Sequence, residues 1–105
     1  MFNEVFKAII NGKKYDTSTA TKIASVSYGA IGDFKYWEEI LFQKKNKEFF
    51  LYGEGGATSK YRKDYGTGWG PGECIEPLSD EDAATWLMNN GDVDTYESIF
   101  GEVDE

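Results

Sequence analysis

The chain has 105 residues, 40% of them hydrophobic and 16% aromatic. That is one domain's length, with enough ring and aliphatic surface to bury a core, so a disordered chain is excluded. The net charge is −8 and there is no histidine, which removes Ser–His and Cys–His nucleophile pairs and histidine-based zinc sites from consideration. Cys74 is the single cysteine, so neither an intrachain disulfide nor a thiolate metal cluster can form within the chain.

No apolar run approaches the roughly 20 residues of a membrane span. The opening MFNEVFKAIINGKKYDT lacks the charged start, apolar stretch and small-residue cleavage site of a secretory signal. A reducing, cytoplasmic setting is the expectation. Charge is unevenly placed: residues 1–63 hold all 11 bases with 7 acids, whereas residues 64–105 hold 12 acids and no base. Such a stretch promotes solubility, and it also attracts a basic partner surface.

In chain order, Glu4 to Ile10 reads as a strand, and Asn11-Gly12 as a tight hairpin turn leading to Lys13-Lys14-Tyr15. Asp16 and Thr17 predict the cap of a short helix over residues 18–25, with Ala20, Ile23 and Ala24 inward. Ser27 to Asp33 reads as a loop. Tyr36 to Gln43 and Glu48 to Gly53 form the clearest hairpin, joined by Lys44-Lys45-Asn46-Lys47 with Asn46 as the left-handed residue. Both of its faces carry apolar bulk, which predicts cover on each side. Residues 53–72 contain seven glycines and read as a long irregular segment, after which Cys74, Ile75 and Glu76 form a short strand before Pro77. Ser79 caps a helix that begins Asp80-Glu81-Asp82 and buries Ala83, Trp86, Leu87 and Met88, with Gly91 as its left-handed stop. Asp92 or Asp94 caps a further turn or two through Tyr96, Ile99 and Phe100, and residues 101–105 form a tail. The expected fold is α+β: an antiparallel sheet of about four strands, a short early helix and a C-terminal helix.

Motif by motif, chemistry recedes. Gly66-Thr67-Gly68-Trp69-Gly70-Pro71-Gly72 puts a proline where a dinucleotide fingerprint needs its third glycine, and no Gly-Lys-Ser/Thr follows. Lys60, Arg62 and Lys63 interleave with Tyr61 and Tyr65, a pattern that can grip single-stranded nucleic acid, but the acidic segment beside it repels phosphate. Asp92-Val93-Asp94 begins a calcium-loop alternation and does not continue it. Glu73 and Glu76 could act as an acid–base pair, although no spacing selects them. Cys74 reads as a small buried hydrophobe. The expected protein therefore has no catalytic residue, cofactor or metal. Its expected partner-binding residues are the acids Asp80, Glu81, Asp92, Asp94 and Glu97 together with Tyr65 and Trp69 of the glycine-rich segment.

Three stretches carry a resemblance. They are Gly12-Lys13-Lys14-Tyr15-Asp16-Thr17 with Thr19-Ala20, then Phe50-Leu51-Tyr52-Gly53-Glu54-Gly55-Gly56, then Trp69, Gly72, Ile75, Pro77-Leu78-Ser79 and Ala84-x-Trp86. As a set they resemble a family of small, mostly uncharacterised proteins from phages, plasmids and other mobile elements of Gram-positive bacteria. Pro71-Gly72 departs from the family's paired glycine, and Asp82 stands for its usual glutamate. The family carries no activity to transfer, but its setting implies an inhibitor of host defence. The leading expectation is a stoichiometric inhibitor of a defence nuclease, of the anti-CRISPR type, that imitates the charge of DNA. A non-inhibitory interaction module in phage or plasmid regulation is the second, and a carboxylate enzyme the third. The expected partner is a protein, such as a CRISPR effector nuclease; direct nucleic-acid binding and membrane binding are not expected.

Overall fold

A computed structural model describes residues 5–30 and 32–104. Strand β1 (Lys7–Ile10) and strand β2 (Lys13–Asp16) pair antiparallel around Asn11-Gly12, whose φ angles of 52° and 77° are those of a tight hairpin turn. Glu4, the expected start of this strand, lies outside the described residues.

The expected early helix is instead strand β3 (Thr21–Tyr28). Asp16 does offer its carboxylate, accepting from the Ser18 amide at 2.9 Å and the Ser18 hydroxyl at 2.6 Å, and its carbonyl accepts from the amides of Thr19 and Ala20. One turn forms and stops. Thr21, Ile23, Val26 and the serines among them suit a pleated surface better than a helix, and pairing with the next strand decides the matter. The loop expected from Ser27 accordingly begins only after Tyr28.

Strands β4 (Trp37–Gln43) and β5 (Phe49–Gly55) form the expected central hairpin. In its turn Lys47, not Asn46, takes the left-handed conformation, at φ 78°. The Asn46 side chain serves by accepting from the Glu48 amide at 3.0 Å. The expected irregular stretch contains a two-residue ladder, β6 (Lys63–Asp64) with β7 (Trp69–Gly70). The last strand, β8 (Gly72–Leu78), is longer than expected and runs through Pro77, which its edge position tolerates. The main sheet is antiparallel throughout, in the order β3-β4-β5-β8.

Helix α1 (Asp80–Asn90) starts where Ser79 Oγ accepts from the Asp82 amide at 3.0 Å. Gly91 ends it in extended rather than left-handed geometry, its amide donating to the Leu87 carbonyl. Met88, expected inside, is 65% exposed. Asp92 caps helix α2 (Val93–Phe100), and residues 101–104 carry no regular structure.

The sheet has two buried faces. On one, Ile40, Phe42, Phe50, Tyr52 and Ile75 meet Phe6, Ala8, Ile10 and Tyr15 of the first hairpin. On the other, Leu41, Phe49 and Leu51 meet Ala83 and Leu87 of α1 and Tyr96, Ile99 and Phe100 of α2. Alternation along β4 and β5 sends successive side chains to opposite layers, so this hairpin is the shared wall of both cores. Among the described residues no helix is long and apolar enough to cross a membrane.

Candidate functional site

The acids expected to bind a partner sit on the helical layer. Asp80 and Glu81 open α1 and are exposed, as are Asp92 and Asp94 at the start of α2; Glu97 is half-buried. An 11-residue helix separates the two groups by roughly 16 Å. Two of the five already have local duties. Asp92 Oδ1 accepts from the Thr95 amide at 2.7 Å, which pulls its pKa down, and Glu97 Oε2 accepts from the Val103 amide at 3.0 Å.

Five of the eleven bases are engaged elsewhere. Lys7 and Lys14 flank Asp16, Lys13 and Lys44 hold Glu48, and Lys60 holds Glu39. Glu48 is drawn down to about 2 by hydrogen bonds from Lys13, Lys44 and Asn46. Among the described residues, no acid from Asp64 onward has a Lys or Arg nitrogen within 4.0 Å.

Tyr65 and Trp69, the other expected contacts, lie apart from these acids. They wall an open cleft of about 760 Å³ with Phe34, Tyr36, Glu54 and Glu73. The single proton of the Tyr52 hydroxyl is shared between Glu73 Oε2 at 2.6 Å and Glu54 Oε1 at 2.9 Å, so the cleft opens on the sheet face opposite the helices. The structure therefore divides the expected site between two faces. Trp69 is 58% exposed and Tyr65 56%. The Arg62 guanidinium lies 4.7 Å from the Trp69 ring, and the Tyr65 hydroxyl donates to the Pro71 carbonyl at 2.6 Å. Glu54 and Glu73 line the cleft, and with Glu38 beside it they form a cross-strand row, Glu38 opposite Glu54 and Glu54 opposite Glu73. The Tyr36 hydroxyl donates to Glu38, and burial together with Glu38 and Glu54 lifts that phenol to about 12. Burial and the hydrogen bonds to Glu73 and Glu54 likewise raise Tyr52. Among the described residues no group of three or more Cys, Asp or Glu side chains has an arrangement that could hold a metal ion.

The most constrained acid, Glu39, is not apparent from motif spacing. It is 4% exposed, in the middle of β4 on the helical face. One oxygen accepts from the Trp86 indole at 2.9 Å, and the other from the Tyr61 hydroxyl and the Lys60 ammonium. Burial pushes its pKa up; the three donors overcome that and leave it below the ordinary value. Burial and Glu39 raise Tyr61. The glycines around this site have a steric purpose: a Cβ on Gly53 would run into the Tyr61 ring, and one on Gly56 would meet the carbonyls of Asp33 and Phe34 at 2.5 and 2.6 Å. A sequence signal did exist, since two adjacent acids inside a strand buried on both faces require partners. Cys74, expected to be buried, is exposed on edge strand β8. Local desolvation, then Glu76 and Glu39, push its thiol up, which disfavours the reactive thiolate.

Fold and surface together define a class: an α+β domain of three layers, hairpin on sheet on helices, whose ion pairs among the described residues all lie before Asp64 and whose helical layer is left acidic. No family model, curated protein or solved structure matches the chain.

Proposed function

We propose that this chain is a stoichiometric protein-binding inhibitor of a bacterial defence nuclease, of the anti-CRISPR type, and that it occupies a basic nucleic-acid-binding surface of that enzyme. One observation carries the reading: the absence of ion pairs, among the described residues, at the acids of α1 and α2. Exposed, uncompensated carboxylates on a rigid layer meet the electrostatic demand of a channel built for phosphate, and opposed fields of this kind speed association. The proposal extends to a mobile-element origin in the resembled family, action in the cytoplasm of a bacterial host, and no catalysis, cofactor or direct nucleic-acid contact. Glu39 supports the non-catalytic part, because both its oxygens already hold donors that tie the 59–62 segment and α1 to the sheet.

The test uses a purified CRISPR effector nuclease, its guide and a target duplex. The expected result is protection of the DNA that saturates near equimolar protein. The variant Asp80→Asn, Glu81→Gln, Asp94→Asn should bind more weakly, with a shallower salt dependence, because screening acts over roughly 8 Å at physiological ionic strength. Asp92 and Glu97 stay intact, since each accepts a backbone amide. Equal affinity and equal salt dependence for parent and variant would sink the charge-based reading. The aromatic cleft at Phe34, Tyr65 and Trp69 favours a second reading, an interaction module without inhibition. In that case a partner would bind through the cleft and cleavage would proceed unimpeded.

A further inference from the structure

The main sheet ends in two edges that differ in chemistry. β8 carries Glu73, Glu76 and Pro77; carboxylates repel a second acidic strand, and proline has no amide to offer. β3, at the other end, is eight residues long, contains no proline and no acid, and has a single charge at Lys22. None of the described backbone hydrogen bonds outside the sheet ladders begins or ends on residues 21–28. The row of amides and carbonyls on its outer side is an unprotected template for another strand.

We propose that β3 is a homotypic pairing edge, through which two copies of this chain join antiparallel into one continuous eight-stranded sheet. Charge selects a second copy's β3 over its other surfaces. Residues 17–32 hold no carboxylate in a chain of net charge −8, so this edge is where two copies approach with the least repulsion. Side-chain chemistry sets a register. The pairing with β4 shifts between Lys22 and Ala24, and from Ala24 to Tyr28 it is regular. Centred on Val26, that regular stretch meets itself with Val26 against Val26, Ser25 against Ser27 and Ala24 against Tyr28. Opposed residues in an antiparallel pair share a face, so a β-branched pair, hydroxyl pairs and a small residue beneath a ring all coincide. The five residues from Ala24 to Tyr28, a strand pair about 17 Å long, bury less than a standard interface of roughly 1,600 Å². The dimer is therefore weak and concentration-dependent.

Sedimentation velocity tests this without any partner. The parent, studied from low micromolar to submillimolar concentration, should rise from the monomer mass towards twice that mass. Ser25→Asp with Ser27→Asp places carboxylates opposite one another and should weaken the dimer by about tenfold or more. Both serines are exposed in the monomer, and Ser27 lies opposite Glu38 on β4, so the aspartate variant should keep the parent circular dichroism with a lower urea midpoint, and its concentration dependence is read under conditions where it is fully folded. Mixing this protein with the Ser25→Lys, Ser27→Lys variant should restore a heterodimer. A parent that keeps the monomer mass at every concentration would overturn the proposal. So would a parent dimer that the aspartates leave untouched, or folded Asp and Lys variants that fail to pair. None of these results bears on nuclease inhibition, which a monomer can perform.

Discussion

Glu39 condenses the physics of this chain into one side chain. A carboxylate at 4% exposure persists because Trp86, Tyr61 and Lys60 donate to it. Its folded pKa lies below the ordinary 4.5, so the stability it contributes is present above the unfolded value and is lost as pH falls through the folded one. Glu39→Gln keeps the shape and removes the charge, and should cost about 1–3 kcal/mol at neutral pH. Urea melts from pH 7 down to pH 3 provide the check: the parent should approach the variant's stability as pH drops, and a constant gap would contradict the assignment. Motif reading misses this residue because its partners lie 47 and 22 positions away, on a helix and a loop. Ser79 and Asp92 were legible because a cap bonds only three residues ahead.

Elements followed the same divide between local and distant causes. The Asn11-Gly12 hairpin, the β4–β5 pair and both C-terminal helices were written in local patterns of turn residues, alternation and caps. The helix expected over residues 18–25 was not, because Asp16 supplies a cap-like side chain and yet Ser25 to Tyr28 finds its partners in Trp37 to Ile40. The glycine-rich segment looked irregular because its logic is steric: Gly53 and Gly56 leave room for Tyr61 and for the chain at Asp33 and Phe34. Two substitutions separate scaffold from surface there. Gly53→Ala should displace the Tyr61 ring and lower stability by about 1–3 kcal/mol, as overpacking does. Trp69→Ala, at a residue 58% exposed, should stay within about 1 kcal/mol of the parent. Chemical denaturation checks both, and a Trp69→Ala protein that unfolds would assign that ring to the core.

Across the whole molecule, one hairpin serves as wall to two cores, and charge is sorted so that every ion pair among the described residues lies before Asp64 while the helical layer stays acidic. The sorting separates the work of holding the fold from the work of meeting a partner. Neutralising Asp80, Glu81 and Asp94 removes no ion pair among the described residues, but each lies in a helix's first turn, so stability should fall by about 0.3–1 kcal/mol apiece while binding weakens. The shared wall has a kinetic side as well. β4 and β5 are joined by a short turn, so their contacts close at small loop entropy. Both cores use this hairpin, so the expectation is that its turn forms early and sets the folding rate. Lys47 holds the turn's left-handed position at φ 78°, a conformation costing an ordinary residue about 1–2 kcal/mol that glycine avoids. Lys47→Gly should therefore speed refolding several-fold in stopped-flow experiments and leave the unfolding rate almost unaltered, the signature of a position already formed at the transition state.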